Sequence, residues 1–200
     1  ERREGNAERC RALLRDGFSQ AARLRPNWTN ASLSGRVLAA MCAEALDAEI
    51  EVVYVKSLIR RFRLEPPVNA SAAWPWRTKV YALGNYEVHR DEERLEFSGK
   101  VPKKPLMLLK ALIAFGGRNV PEERLMDALW PDEEADAARK SLDITVLRLR
   151  KLLGGNDTIV VSDELIGLNP QLCWTDVWGF ERRIEQFEAG DGQIGAASEA

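Results

Sequence analysis

The chain of 200 residues has little of what several protein classes require. It has one histidine, His89, and three cysteines, Cys10, Cys42 and Cys173, far apart and without CxxC spacing. That excludes a disulfide framework and a zinc site built on the usual ligand pairs, and leaves buried thiols as the expectation. There is no run of 18 apolar residues and no secretory leader pattern in the charged first 30 residues, so neither a membrane span nor export is expected. The sequons at Asn27, Asn30 and Asn69 then carry no argument. No GxxxxGK[ST] loop is present, and no serine has a histidine base nearby in a motif. His89 stands beside Arg90 and Asp91 with no second ligand, so no enzyme activity, cofactor or metal is expected, and the chain is placed in the cytoplasm.

What is present is an ordinary globular composition, 45% hydrophobic and 30% charged, with a net charge of −2. It is enough for one to two domains with a real core. The charge is uneven. Residues 1–76 hold 12 Lys and Arg against 9 Asp and Glu, and residues 77–200 hold 17 against 22. An acidic second half argues against avid non-specific binding of nucleic acid, because counterion release scales with the phosphates neutralised.

Within that acidic half, residues 135–153 read ADAARKSLDITVLRLRKLL. Ala138, Leu142, Val146, Leu149 and Leu153 recur at helical steps and define a core-facing stripe. The opposite face carries Lys140, Ser141, Ile144, Thr145, Arg148 and Lys151, and residues 139–151 hold five cations against the single carboxylate of Asp143. Such a face suits DNA, although for a helix of this kind taken by itself the commoner reading is a solvated amphipathic helix that uses Arg and Lys for solubility.

The N-terminal third reads as helices at 8–24, 35–46 and 50–62, with more apolar surface than three short helices hide. Arg60, Arg61 and Arg63 lie at a helix C-terminus, where the macrodipole favours cations. LEPPVNASAAWPW, residues 64–76, reads as an extended linker, with Trp74 and Trp76 expected to dock against a flanking domain and hold it in a fixed orientation. Beyond it, KVYALGNYEVHRD and RLEFSG read as short strands of an antiparallel sheet. Helices follow from about Lys103 to Phe115, closed by Gly116-Gly117, and from Pro121 at a first-turn position to Trp130. Asp132 or Asp136 is expected to cap the helix 135–153, which Gly154-Gly155 closes. TIVVS and LIGLN then form a hairpin around Asp163-Glu164. The predicted organisation is a helical, repeat-like region at 1–65, a Pro/Trp linker at 66–78, a domain at 79–170, and the start of a further helical domain at 171–200.

From Val80 to Glu181 these pieces, LGNYEV, KKPLMLLKALIAFGGRNVPEERLMDALWP, AARKSLDITVLRLRKLL and LIGLNPQLCWTDVWGFE, taken in that order, resemble the winged helix-turn-helix of the OmpR/PhoB type, in the version found in SARP-like and MalT-like bacterial transcriptional activators. MCAEALDAEIEVVYVKSLIRRFRLEPP with WPW resembles the segment that precedes this domain in the MalT-like group. The resemblance spans most of residues 36–188, and GFERRIEQFEAGDG resembles the start of a helical repeat domain. It implies an α+β fold: an N-terminal antiparallel sheet, three helices and a C-terminal hairpin wing, preceded by a small all-α region. It also implies a fragment of a larger signal-transducing regulator that binds specific double-stranded DNA, with the third helix in the major groove.

Carried over residue by residue, the resemblance puts Lys140, Ser141, Ile144, Thr145 and Arg148 toward DNA, and Arg150 and Lys151 toward phosphates. Arg148 can donate to guanine O6 and N7, and Ile144 can touch a thymine methyl. Asp143 is expected to pair with a neighbouring cation. In relatives of this fold the loop before the recognition helix is offered to RNA polymerase, which makes Asp132, Glu133 and Glu134 candidate contacts; complementation of the helix dipole explains them equally well. The other partners implied are the remaining domains of the same regulator and a second copy on DNA. The acidic wing turn departs from wings that read the minor groove. It keeps an alternative open: a winged helix used as a protein-interaction or autoinhibitory module with negligible DNA affinity.

Overall fold

The structure, a computed structural model, describes residues 2–24, 34–96 and 101–188, and divides into two compact units that meet at Pro75 and Trp76. The first holds α1 (Arg2–Leu24), α2 (Gly35–Asp47) and α3 (Val52–Phe62). Ser34 caps α2, its hydroxyl accepting the Val37 N–H at 3.3 Å. Leu14, Phe18, Ala39, Cys42, Leu46, Val55, Leu58 and Ile59 are buried, whereas Leu13, Val37 and Val53 stay exposed. The expected linker is ordered as turns: the Ser71 hydroxyl donates to the Asp47 carboxylate, and Ala70 is buried. Trp74, at the end of this unit, and Trp76, the first residue of the next, are both buried, as a large apolar ring should be.

The second unit begins with β1 (Thr78–Tyr81), β2 (Glu87–Arg90) and β3 (Glu93–Arg94), followed by α4 (Lys103–Ala114), β4 (Val120–Pro121), α5 (Glu122–Leu129) and α6 (Ala135–Leu153). After a 3-10 turn at Asn156–Thr158 come β5 (Ile159–Ser162), β6 (Leu165–Leu168), β7 (Cys173–Thr175) and α7 (Asp176–Glu188). One sheet has the order β3-β2-β1-β7, with Val80 opposite Val88 and with β7 parallel to β1; the other has the order β4-β6-β5. Between them a single core joins Val80, Val88, Leu108, Leu109, Leu112, Leu125, Leu142, Leu149, Leu153, Ile159, Ile166 and Leu168.

Helix α4 ends at Gly116 and Gly117, both at positive φ. At Gly117 a side chain is excluded twice, since φ is +74° and an added Cβ would lie 2.8 Å from the Trp178 ring. The Gly117 carbonyl accepts the Leu168 N–H at 2.8 Å, and the Gly116 carbonyl accepts the Trp178 indole N–H at 2.9 Å.

Several expectations are corrected. Pro121 is a strand residue opposite Leu165, so α5 starts at Glu122. Neither Asp132 nor Asp136 caps α6; its N-cap is Glu134, with no side-chain bond to the helix. Of the strand expected in RLEFSG only its first residue, Arg94, lies in a described strand, which Glu93 begins; Leu95 packs on the core, and Phe97 lies outside the described residues. The expected boundary at 170 falls inside this unit, because β7 completes the first sheet and Cys173 and Trp178 belong to its core. Cys42 and Cys173 are buried, and burial pushes both thiols up to about 12, whereas Cys10 is exposed.

Candidate nucleic-acid interface

Helix α6 presents two faces. Ala138, Leu142, Val146, Leu149 and Leu153 are buried, as the spacing requires. Lys140, Asp143, Ile144, Leu147, Arg148 and Lys151 are exposed. Positions 140, 144, 147, 148 and 151 fall within one stripe of a helix. Lys140, Arg148 and Lys151 have no ion-pair partner among the described residues. Asp143 has none there either, contrary to the pairing expected of it.

The other polar residues of α6 are bound to its surroundings. Thr145, expected on the outward face, is 4% exposed, and its hydroxyl donates to the Ser141 carbonyl one turn back at 2.7 Å. A β-branched residue whose hydroxyl is satisfied within its own helix packs like an aliphatic one. The Ser141 hydroxyl donates to the Glu133 carboxylate at 3.1 Å, which ties the start of the helix to the preceding connector. Arg150, expected near phosphates, is half-buried and donates from Nε and Nη2 to the Ile159 carbonyl, at 3.3 and 2.8 Å. Its guanidinium fastens the helix to the first wing strand. Arg139, which the sequence left unassigned, bridges Glu122 of α5 at 3.1 Å and Glu164 of the wing turn at 3.4 Å.

The first sheet holds the C-terminal end. Gly154 closes the helix at φ +95°, the Thr78 hydroxyl donates to the Leu153 carbonyl at 2.9 Å, and Arg90 donates to the Leu152 carbonyl at 3.4 Å. These donors satisfy carbonyls that the helix itself leaves open. At the end of α5, Lys104 donates to the Leu129 carbonyl at 2.9 Å while lying over the Trp130 ring.

Asp163 and Glu164 make the two-residue wing turn at φ +51° and +61°, the left-handed pair that matches strand twist. Glu122 N–H donates to the Glu164 carbonyl at 2.9 Å, so the tip is tied to the start of α5. Residues 159–168 contain no Lys or Arg, and Val160 and Val161 are exposed on the edge strand. A cleft of about 520 Å³ opens between α5, the connector and the wing turn, lined by Glu122, Glu123, Asp127, Glu133, Asp163 and Glu164 around Arg139. In the connector Asp132, Glu133 and Glu134 are all exposed.

His89 contacts Glu87 at 3.0 Å and lies edge-on to Tyr81, and the Asp176 carboxylate accepts the N–H groups of Ala82 and Leu83 at 2.8–2.9 Å. Among the described residues no group of three or more His, Cys, Asp or Glu is placed to hold a metal, and no helix is long and apolar enough to cross a membrane.

Residues 99–165 match the model of the family described as "Transcriptional regulatory protein, C terminal". The stretch contains α4, α5, α6 and the first wing strand. The helices and two small sheets are consistent with the winged helix-turn-helix of that OmpR/PhoB-type family, which is a DNA-binding domain family of transcription regulators. No curated protein matches the chain. Among solved structures, Mycobacterium tuberculosis EmbR in complex with a low affinity phosphopeptide is similar at 26% identity and a TM-score of 0.39, over 49% of this chain and 27% of that one. The similarity thus spans about a quarter of that protein's length.

Proposed function

We propose that this chain is part of a bacterial, cytoplasmic transcription regulator and that it binds specific double-stranded DNA by laying α6 in the major groove. One observation carries the reading: Lys140, Arg148 and Lys151 stand exposed and unpaired, among the described residues, on a single face of the helix that the fold presents for recognition. Arg148, one turn before Lys151 on that face, takes the guanine-reading role through its bidentate fork, and Lys140 and Lys151 neutralise phosphates at the flanks. Ile144 lies beside Arg148, toward the bases. Ser141 contributes through its hydroxyl once it leaves Glu133. Thr145 and Arg150 support the helix from behind.

The footprint is small. Two phosphate-neutralising cations, Lys140 and Lys151, give a slope of log K against log salt of about −2. Titration of the whole chain against genomic DNA fragments at two salt concentrations tests this, and a slope near zero, or no retention of DNA at low salt, sinks the reading.

The connector before α6 is the surface proposed for RNA polymerase. Asp132 and Glu134 are exposed, and neither side chain serves as a helix cap. The second reading, a protein-interaction or autoinhibitory module, draws on the acidic cleft and the wing without cations. Salt-insensitive binding of a protein ligand, with no DNA retained, would favour it. The helical region 1–65 is assigned to the larger regulator, as a link to its other domains, and a second copy on DNA is part of the same reading.

A further inference from the structure

Neutralised phosphates and one guanine do not account for the whole exposed face of α6. Ile144 is 51% exposed and Leu147 is 49% exposed, three residues apart, between Lys140 on one side and Arg148 and Lys151 on the other. Neither side chain belongs to the core, whose side of the helix Leu142, Val146, Leu149 and Leu153 fill. Next to them Asp143 is exposed and unpaired among the described residues. Asp143 flanks that stripe beside Leu147, and a carboxylate there is repelled by phosphates, so this edge of the helix lies away from the sugar-phosphate rails.

We propose that α6 reads thymine 5-methyl groups through Ile144 and Leu147 together, so that the preferred DNA carries thymines in the major groove beside the base pair engaged by Arg148. The inference rests on the DNA-binding reading above. The thymine methyl is the apolar feature of the major-groove edges, and its size suits one aliphatic side chain. Two side chains ringed by three cations form an apolar patch far smaller than a stable protein interface needs, whereas the surrounding positive charge is complementary to DNA.

The test uses the whole chain and a random-sequence 30-base-pair duplex pool, selected for binding and then resynthesised with deoxyuridine in place of thymidine. That exchange removes the methyl groups and keeps every hydrogen-bonding edge. Selection should enrich thymines, and the uracil version of the selected DNA should bind about fourfold more weakly per methyl contacted, hence more than tenfold for two contacts. Ile144→Ala and Leu147→Ala, both at exposed positions and checked for unchanged circular dichroism, should each reduce the thymine-to-uracil ratio and leave the salt slope as it was.

Equal binding of thymine and uracil DNA by the parent overturns the inference while leaving DNA binding intact. If the two variants shift self-association in sedimentation but not the thymine-to-uracil ratio, the pair is a protein-contact surface and the inference falls. If the parent retains neither DNA, the DNA-binding reading fails and the inference with it.

Discussion

Arg150→Ala separates a scaffold role from a phosphate contact. In the structure the Arg150 guanidinium gives two hydrogen bonds to the Ile159 carbonyl, at 2.8 and 3.3 Å, from a half-buried position. A hydrogen bond from a charged donor is worth about 1.5–3 kcal/mol when a mutation removes it. Two bonds to one acceptor do not add in full, and solvent screens a half-exposed cation, so the cost of Arg150→Ala is about 2 kcal/mol. For a domain of this size each kcal/mol lowers Tm by about 2–5 °C, so the expected fall is about 4–10 °C. Lysine has one donor centre and no fork, so Arg150→Lys should recover less than half of the loss. The salt slope of DNA binding should stay at the parent value, because the residue neutralises no phosphate. Thermal melts followed by circular dichroism, with fluorescence-anisotropy titrations at two or more salt concentrations, read both quantities. An unchanged Tm with a slope lowered by about 1 would refute the reasoning and return Arg150 to the DNA backbone.

Arg148→Ala should cost about 1–3 kcal/mol on selected DNA and relax preference at one base pair, whereas Lys151→Ala should weaken all sequences alike; equal losses on selected and random DNA for both would mean that Arg148 contacts only phosphate. Gly117→Ala should destabilise the winged-helix unit by about 1–3 kcal/mol in a urea melt, because φ is +74° and the Trp178 ring is 2.8 Å from the new Cβ. An unchanged midpoint would show that the ring is not held there. Cys173, whose thiol burial pushes up to about 12 from 9.0, ionises more readily when unfolded. Stability should therefore fall as pH rises from about 9 toward 12, and the fall should be shallower in Cys173→Ala, read from urea midpoints across that range. Iodoacetamide at pH 8 should label Cys10 in the native protein and spare Cys42 and Cys173 until denaturant is added.

The features that could be read from the sequence were the local ones. The stripe from Ala138 to Leu153, the glycine stops at 116 and 154 and the Asp163-Glu164 turn each sit within a few residues of what causes them. Strand β7 was not legible. Its three residues follow Pro170 with no alternation to mark a strand, and they pair in parallel with β1, more than 90 residues earlier. On α6 three side chains lie otherwise than the spacing and the resemblance suggested. Thr145 satisfies its hydroxyl on the preceding turn and turns inward, Arg150 reaches sideways to the wing, and apolar Leu147 stays out. Lys140, Arg148 and Lys151 are exposed, as expected, and form no ion pair among the described residues.

The bonds that removed Thr145 and Arg150 from the recognition face also fix its direction. Near its start α6 is held by Arg139 to Glu122 and Glu164 and by Ser141 to Glu133; at its end it is held by Thr78, Arg90 and Arg150. Those partners lie on both sheets, on α5 and in the connector. Rotating the helix by a single residue would break several of these bonds at once. The face is thus set before any ligand arrives, which lowers the ordering cost of binding. It also means that affinity cannot be raised by recruiting further cations from the same helix, since Arg139 and Arg150 are committed elsewhere and the wing has none. With about two phosphates neutralised per copy, as proposed above, one copy should bind DNA weakly at physiological salt. On the proposed reading, tight occupancy then requires two copies side by side, because linking them doubles the footprint without changing either face.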